Sequence, residues 1–391
     1  MTAVASREQN AVRYENTRLQ DYTTSNTIDR GRADLSLIMM TLLLLTIGVV
    51  MVLSASYANA YYTRDSASYY FVRQALFALS GIAVMFVASR MPMSVYRRLS
   101  VPVLLVSGVL LVAVLVMGRL TNGATRWIDF GFTTFQPSEL AKLGLILFYA
   151  MLISRYKEKM KTFRYGIAPF AVVLLIIVVL LALEPHVSAI LIISAIALVM
   201  LFVGGVQLRW FIGGGLSVGA LLLIAYASFD YVKLRIEAWQ NPFADASGSG
   251  YQVVQSLYAI GSGGLLGLGL GNSRQKFLYL PEEHNDYIFS VICEELGYIG
   301  AILLLALFAV LILRCYWIAL HARDRFSMLV GVGIATQLAL QVIMNIAVCT
   351  NSIPCTGVSL PFFSYGGTAM WLQLGEVGIL LSISRDIPES A

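Results

Sequence analysis

A short acidic segment of the chain carries the residue types of an acid–base site. Glu282, Glu283, His284 and Asp286 occupy four of five consecutive positions, directly before a long apolar run. A carboxylate or an imidazole at a membrane surface can act as a general base, and both groups also coordinate metal ions. Their spacing matches no zinc motif. The segment indicates a general base or a cation site, with a solvated loop as the alternative.

A second candidate is a pair of opposite charges at the start of an apolar helix. In the segment Gln136–Lys142, a proline suits the first helical position, and Glu139 lies three residues before Lys142. Side chains with this spacing share a helix face and can form an ion pair. Glu139 alone could be a helix cap, but a lysine about one turn inside the membrane favours function, because charges there are costly. Such a paired lysine can bind an anionic headgroup.

A third candidate is the irregular segment Ile353–Gly367, which contains two prolines and three glycines. Irregular backbone at membrane depth is tolerated only where it is buried in protein or lines a cavity. The segment therefore predicts a cavity wall, with a purely structural turn as the alternative.

The composition indicates what kind of scaffold must hold these groups. Of the 391 residues, 58% are hydrophobic and 13% are charged, whereas soluble domains carry about 25% charged residues. The mean hydropathy is +0.76. A disordered chain, a secreted disulfide scaffold and a nucleic-acid-binding protein are excluded. The prediction is an all-α, multi-pass membrane protein, since the apolar runs do not alternate as they do in a membrane barrel.

Ten apolar runs are each close to the roughly 20 residues that a membrane-spanning helix needs. They are 35–56, 71–89, 101–118, 138–153, 167–183, 187–205, 210–228, 288–313, 328–349 and 368–384. With the N-terminus in the cytoplasm, eighteen of the 27 lysines and arginines fall on the cytoplasmic side and eight on the outer side. The positive-inside rule therefore predicts that both termini are cytoplasmic.

The spans belong to one predicted membrane domain, 35–385, between two cytoplasmic tails. Residues 1–34 are predicted to be a disordered tail, and residues 386–391 a short one. One large extracellular loop, about 229–287, separates the seventh and eighth spans. Loops of that length are usually functional.

Several longer motifs resemble those of one protein family. They are Thr125–Ile128, Gln136–Lys142, Asn241–Phe243, Gly248–Gln252, Gln255–Gly261, Gly269–Lys276, Leu280–Glu282, Asp286, Glu294–Gly297 and Leu360–Gly367. They extend over nearly all of the membrane domain. On these motifs the sequence is similar to the SEDS family (shape, elongation, division and sporulation), which includes FtsW, RodA and SpoVE, and it is most like the FtsW branch.

The resemblance implies a ten-helix fold and the activity of a peptidoglycan glycosyltransferase. Family members polymerise lipid II, an undecaprenyl-diphosphate-linked disaccharide pentapeptide, at the outer face of the bacterial plasma membrane. They act with a class B penicillin-binding protein, which is a transpeptidase. The expected location is the division septum, among other division proteins and membrane lipids, with no nucleic acid as a partner.

The resemblance also implies roles for particular residues. Asp286 matches the aspartate taken as catalytic in the family, and the pair Glu139 and Lys142 matches a functional pair in its central cavity. The residues expected to bind substrate are Glu139, Lys142, Arg73, Arg126, Lys276 and Ser364.

The implied chemistry agrees with these residue types. A sugar hydroxyl of the acceptor attacks the anomeric carbon of the donor, and Asp286 can accept the proton. The leaving group is a polyprenyl diphosphate. Arginines, Lys142 or a divalent cation such as Mg²⁺ or Mn²⁺ can stabilise its developing charge. No set of metal ligands is predicted from the sequence. An α-linked donor would give a β-linked glycan, so inversion is expected.

The sequence departs from the family pattern in one turn beside the expected site. The family commonly has Gln-Pro-Asp-Leu-Gly-Thr between the fifth and sixth spans, where this chain has Glu184-Pro-His-Val-Ser-Ala189. His186 replaces an aspartate, which predicts altered substrate geometry and an activity that varies between about pH 5.5 and 7.5. Cys355 replaces an apolar residue, and it could pair with Cys349, although two free thiols are favoured.

Two other functions are compatible with the sequence. A flippase for lipid-linked precursors would also have many spans and buried charges, but no internal repeat is visible. A weakly active or non-catalytic divisome scaffold would account for the altered turn at His186. The presence of Asp286, Glu139 and Lys142 favours the enzyme.

Overall fold

The computed structural model describes residues 31–121, 124–131, 133–215, 236–248 and 250–387, and this part of the chain is mainly helical. The α-helices are α1 (Leu35–Arg64), α2 (Tyr69–Arg90), α3 (Met93–Met117), α4 (Pro137–Tyr156), α5 (Phe163–Gly166), α6 (Ala168–Leu183), α7 (Val187–Val203), α8 (Tyr251–Ser262), α9 (Ile288–Leu320), α10 (Arg325–Cys349) and α11 (Gly367–Arg385). Two 3₁₀ turns lie at Lys157–Lys161 and Pro242–Asp245. Residues 208–215 are also helical.

Seven of the described helical stretches are long and apolar enough to cross a membrane. They contain α1, α2, α3, α4, α6, α9 and α10. Helix α7 is apolar but shorter, and the 19 residues of α11 include the acidic Glu376. The predicted span 210–228 lies mostly outside the described residues. The multi-pass membrane fold is thus confirmed, whereas the number of ten spans and the cytoplasmic position of both termini stay predictions.

The all-α prediction missed a small antiparallel sheet between α3 and α4. Its strands are β1 (Arg119–Thr121), β2 (Ala124–Asp129) and β3 (Thr134–Phe135), in that order. β-Branched and aromatic residues favour strands, but strands this short give too few residues for a recognisable alternation. The sheet leads directly into Pro137, the first residue of α4, and so fixes where that helix starts.

The helices differ strongly in how much of their surface is buried. In α4 and α10, 67% and 78% of the spanning portion is buried, against 22% in α3 and in the span that contains α6. Helices α4 and α10 are therefore inner helices, while α3 and α6 present apolar side chains outward, as suits contact with lipid. Charged groups on an inner helix face other protein groups, which is where intramembrane charges are tolerated.

Helix α9 is interrupted at Gly297, whose φ of +67° and ψ of −172° are not helical. The glycine-rich stretch 261–271 pairs with the backbone groups released there. Leu268 N donates to the carbonyl oxygen of Glu294 (3.0 Å), and Tyr298 N donates to the carbonyl oxygen of Gly264 (2.9 Å). Backbone polar groups at membrane depth must be satisfied within the protein. The predicted continuous span is therefore a two-part helix that the outer loop completes.

The long outer segment is structured where it is described. Trp239 Nε1 donates to the carbonyl oxygen of Asn351 (3.0 Å), and Asn351 Nδ2 donates to the carbonyl oxygen of Trp239 (3.1 Å). These reciprocal bonds fasten the segment to the end of α10. The outer segment is thus attached at two places, the end of α10 and the break in α9. The acidic segment that contains Asp286 belongs to this attached outer segment.

Most of the predicted disordered tail, 1–34, lies outside the described residues. Its last residue, Asp34, caps α1 by accepting a hydrogen bond from Leu37 N (2.7 Å). Asp34 also accepts from Arg314 Nε (3.1 Å). These contacts attach the residue before α1 to α9, and the predicted domain bounds stay a prediction.

Candidate active site

The bundle contains a cavity of about 1180 Å³ that gathers the polar segments of the sequence. Six of the seven residues predicted for the site line it. They are Asp286, Glu139, Lys142, Arg73, Arg126 and Ser364. The segment Ile353–Gly367 forms part of the wall, as its irregular backbone predicts. The structure therefore brings together the acidic segment, the start of α4 and the proline–glycine segment.

The backbone of Asp286 is held by a buried amide. Asn345 Nδ2, on α10, donates to the carbonyl oxygen of Asp286 (2.8 Å) and to that of Val358 (2.6 Å). One side chain thus joins the acidic segment to the proline–glycine segment. On the other side, a Cβ added to Gly357 would lie 2.9 Å from Asp286 Oδ2. The backbone at Asp286 is therefore held by α10, while Gly357 leaves room for the carboxyl group.

The electrostatic surroundings of Asp286 suit a general base. Burial raises the pKa of Asp286 to about 6, the nearby Glu282 carboxylate also raises it, and Arg126 and His284 lower it. A general base works best when its pKa is close to the working pH, because it is then ionised and still basic enough to accept a proton. A shift of this kind in a cavity is typical of functional carboxylates.

The ion pair predicted at the start of α4 is present. Lys142 Nζ lies 2.8 Å from Oε1 and 2.7 Å from Oε2 of Glu139. The two side chains are 2% and 8% exposed, respectively. A buried charge this close to lipid requires a partner, and each residue supplies one for the other. Both residues line the cavity, so the ammonium group can also meet an anionic ligand there.

The turn that departs from the family pattern contributes a neutral imidazole. Burial, and then the positive charges of Arg126 and Lys142, lower the pKa of His186 to about 3. Its Nε2 lies 3.3 Å from Gln136 Nε2. His186 therefore stays neutral across the range of about pH 5.5 to 7.5. The pH dependence of activity predicted from this histidine therefore has no support in its buried environment.

The same turn contains a buried carboxyl group, that of Glu184. The Glu184 carboxyl is fully buried, and its oxygens accept no hydrogen bond from the part of the chain that the structure describes. Burial raises the pKa of Glu184 to about 8, although Arg126 opposes the shift. At neutral pH the carboxyl group is therefore mostly protonated. Arg126 donates to the carbonyl oxygen of Pro185 and lines the cavity.

A second basic cluster includes Arg64, which the sequence analysis missed. Arg64 is the last residue of α1 and lines the cavity beside Arg73. The two guanidinium carbons lie 5.1 and 5.2 Å from the centre of the Tyr69 ring, and Arg73 also donates to the Tyr69 hydroxyl. Cations at such distances are attracted to an aromatic face. The first span was predicted to end at residue 56, so Arg64 fell in an outer loop and received no role.

Ser364 lines the cavity, but its hydroxyl is committed to the backbone. Its Oγ donates to the carbonyl oxygen of Asn285 (2.7 Å) and accepts from Leu360 N (2.7 Å). Asn285 is the residue directly before Asp286. Ser364 therefore helps to position the acidic segment, whereas its predicted contact with substrate stays a prediction.

Lys276 is the one predicted site residue that does not line the cavity. Its Nζ lies 2.9 Å from Glu295 Oε1 and 3.2 Å from Ser54 Oγ, and its side chain is 2% exposed. The neighbouring Glu294 carboxylate accepts from Ser273 Oγ (2.5 Å). This network fastens the loop before the acidic segment onto α9. A contact of Lys276 with substrate therefore has no support in the geometry.

The cysteines are free thiols, and Cys355 lies in the cavity wall. The Tyr287 hydroxyl lies 3.2 Å from its sulfur. Over the described ranges, no group of three or more His, Cys, Asp or Glu side chains could hold a metal ion. Within the described ranges, the side chains therefore provide no set of ligands for the divalent cation that the sequence analysis considered.

The fold and the cavity define a multi-pass helical membrane protein with a charged internal site. Residues 34–388 match the family FTSW_RODA_SPOVE, described as "Cell cycle protein". The chain belongs to this family, as its motifs indicated.

Individual relatives extend over almost the whole chain. Stage V sporulation protein E of Bacillus subtilis is 41% identical over 361 residues, which are 92% of this chain and 99% of that protein. A protein of Trichlorobacter lovleyi named "Probable peptidoglycan glycosyltransferase FtsW" is 40% identical over 356 residues, 90% of this chain and 93% of the relative. The family match over residues 34–388 includes every residue that lines the cavity.

Solved structures show the same fold. The rod shape determining protein RodA of Thermus thermophilus has a TM-score of 0.67 at 29% identity, covering 91% of this chain and 98% of that one. A chain from the work "Structural coordination of polymerization and crosslinking by a peptidoglycan synthase complex" has a TM-score of 0.77 at 29% identity, covering 90% and 98%.

Proposed function

We propose that this chain is a peptidoglycan glycosyltransferase that polymerises lipid II at the outer face of the bacterial plasma membrane. The observation that carries the proposal is the cavity, which places Asp286, the Glu139–Lys142 pair and Arg126 in one space. Relatives about 40% identical that are named for this activity support the same assignment.

In the proposed reaction, a sugar hydroxyl of the acceptor attacks the anomeric carbon of the donor. Asp286 accepts the hydroxyl proton as the new carbon–oxygen bond forms. The bond from the anomeric carbon to the diphosphate breaks, and its electron pair leaves with the diphosphate. A single displacement inverts the configuration at that carbon, so an α-linked donor gives a β-linked glycan.

The charge that develops on the leaving diphosphate needs cationic groups at the reacting carbon. Arg126 lines the same cavity as Asp286, and its positive charge lowers the pKa of that carboxyl group. A guanidinium can bind a phosphate through two parallel hydrogen bonds. Lys142 supplies a second cation in the same wall. Preorganised charges of this kind stabilise a developing anion without reorganisation.

The proposed cellular setting is septal cell-wall synthesis. A class B penicillin-binding protein is the proposed partner, and the structural likeness to a chain of a peptidoglycan synthase complex supports it. The relatives named FtsW and the sporulation protein support a place among division and sporulation proteins.

The test is polymerisation of lipid II by the purified chain with its transpeptidase partner, which must lack a glycosyltransferase domain of its own. Asp286→Asn is expected to reduce the rate by roughly 10²- to 10⁴-fold, the usual contribution of a general base. Asp129→Asn is the matched control, since Asp129 lines the same cavity but is more exposed. It should polymerise at close to the wild-type rate.

Two results would oppose the proposal. If Asp286→Asn made glycan chains as fast as Asp129→Asn, the base would lie elsewhere. If the assembled wild-type complex made no chains but moved fluorescent lipid II across vesicle membranes, the chain would be a flippase.

A further inference from the structure

Polymerising a lipid-linked disaccharide requires two lipid diphosphates in the cavity at the same time. The donor's diphosphate is bonded to the reacting carbon and must lie beside the base. A linear strand requires that the attacking hydroxyl be on the acceptor sugar remote from the acceptor's own diphosphate. The second diphosphate therefore lies about one disaccharide away from the base.

The basic side chains that line the described part of the cavity fall into two groups. Arg126 and Lys142 are the first group. Arg126 donates to the carbonyl oxygen of Pro185, and Gln136, directly before the helix of Lys142, contacts His186 in the same turn. Ser188 of that turn donates to the carbonyl oxygen of Thr356, next to the glycine that faces Asp286, so this group lies on the side of the cavity that holds the base. The second group is Arg64 and Arg73, on either end of the turn that joins α1 to α2.

An aromatic ladder separates the second group from Asp286. Both arginines of the second group contact the ring of Tyr69, and the centre of that ring lies 5.2 Å from the centre of the Tyr70 ring. The Tyr70 ring lies 4.5 Å from the ring of His284, two residues before Asp286. Tyr365 packs edge-on against Tyr70 at 5.0 Å. The second group is thus offset from the base by successive rings, whose phenol and apolar surfaces can carry a sugar between them.

We propose that Arg64, Tyr69 and Arg73 form the diphosphate site of the acceptor lipid, and that Arg126 and Lys142 hold the diphosphate of the donor. This assignment rests on the proposed glycosyltransferase function and adds Arg64 to its substrate-binding residues.

The cluster has the chemistry that a lipid diphosphate requires. Two guanidinium groups can each bind a phosphate through two hydrogen bonds, which matches the two phosphates of the headgroup. Their shared position on the Tyr69 ring limits the conformations of two long side chains before substrate arrives, and so reduces the entropy lost on binding. Arg64 is exposed at the cavity margin, where it can meet a headgroup from the membrane surface.

A coupling assay with separate substrates tests the assignment. The donor is a lipid II whose acceptor hydroxyl is blocked, and the acceptor is a lipid II in which a methylene replaces the anomeric oxygen, so that it cannot donate. Arg64→Gln and Arg73→Gln are each expected to raise the KM for the acceptor roughly five- to twenty-fold, the effect of losing one charged hydrogen bond at a partly exposed site. The KM for the donor and the kcat should not change.

Arg98→Gln, an exposed arginine at the start of α3, is the control for a lost surface charge and should leave both KM values unchanged. Arg64→Lys should fall between wild type and Arg64→Gln, because it keeps the charge but loses the planar fork. An equal rise in the donor KM, or an unchanged acceptor KM, would overturn the assignment.

A binding measurement separates this inference from the proposed function. The Asp286→Asn chain in nanodiscs is titrated with lipid II and the bound lipids are counted by native mass spectrometry. Two lipid II molecules per chain are expected, falling to one when Arg64→Gln and Arg73→Gln are added. Two molecules bound after both changes would refute the acceptor site. If Asp286→Asn still polymerised, the proposed base would fail, while the lipid count would still decide the assignment.

Discussion

Gly357→Ala should slow glycan polymerisation by displacing the carboxylate of Asp286. Gly357 has a φ of +61°, and an added Cβ would lie 2.9 Å from Asp286 Oδ2. Ordinary contacts of a Cβ begin near 3.4 Å, so the carboxylate must retreat by about half an ångström. The amide of Asn345 and the packed acidic segment oppose a larger adjustment of the backbone.

The size of the effect follows from that displacement. A misplacement of 1 Å at a reacting group costs about 100-fold in rate, so half that distance predicts a loss of about tenfold in kcat. The left-handed backbone conformation adds a stability cost of roughly 1–2 kcal/mol for alanine. Gly264→Ala is the matched control, because Gly264 has a φ of +53° and an added Cβ would meet no atom within 4 Å. It carries the backbone cost without touching the carboxylate.

The assay is the initial rate of lipid II polymerisation with the partner protein, accompanied by thermal unfolding of each variant. Gly357→Ala should lose stability to the same extent as Gly264→Ala but lose about ten times more rate. Equal rates for the two variants would refute the argument that the position of the Asp286 carboxylate limits the reaction.

The remaining predictions concern three charged groups. Asp286 must be ionised to take a proton, so the polymerisation rate should fall as the pH drops through about 6. Glu282→Gln removes a neighbouring negative charge and should move this midpoint to lower pH; an unmoved midpoint in the rate–pH profile would count against it. Lys276→Met should lower the free energy of unfolding by about 3–5 kcal/mol, measured by thermal unfolding, because it leaves the buried Glu295 carboxylate without its cation. Adding Glu295→Gln should recover most of that loss, whereas a raised KM at unchanged stability would point to a substrate contact. The pKa of Glu184 is about 8 in the folded protein and 4.5 ordinarily, so wild-type stability should fall as the pH rises between those values. Glu184→Gln avoids this loss and should raise the melting temperature more at about pH 7.5 than at about pH 5; an equal gain at both would contradict it.

Local spacing was enough to predict some features of the site. The ion pair between Glu139 and Lys142 follows from a separation of three residues on a helix, because both members lie within one turn. The cavity wall at Ile353–Gly367 follows from its prolines and glycines, since such backbone cannot face lipid. The apolar runs predicted most of the described spans, because their length is set by the thickness of the bilayer.

Features that depend on tertiary contacts could not be predicted in this way. Lys276 was assigned to substrate, yet its charge is met by Glu295, a partner 19 positions away that no pattern indicates. The burial of His186 changed its expected titration, and burial is a property of the packed bundle. Arg64 was overlooked because α1 continues beyond its most apolar portion, where hydropathy no longer marks the helix.

The break at Gly297 also affects how the chain is inserted into the membrane during synthesis. As one straight helix α9 would be about 50 Å long, far more than the roughly 30 Å of hydrocarbon that it has to cross. The portion 298–320 is about 35 Å long and contains no Asp or Glu, so it is long and apolar enough to cross the hydrocarbon by itself. Glu294 and Glu295 can then remain outside the lipid until the loop 273–276 packs against them. That loop supplies the hydroxyl, amide and ammonium groups that donate to the two carboxylates. We therefore expect closure of the cavity to be a late step in the biogenesis of the protein, after the spans themselves are in place.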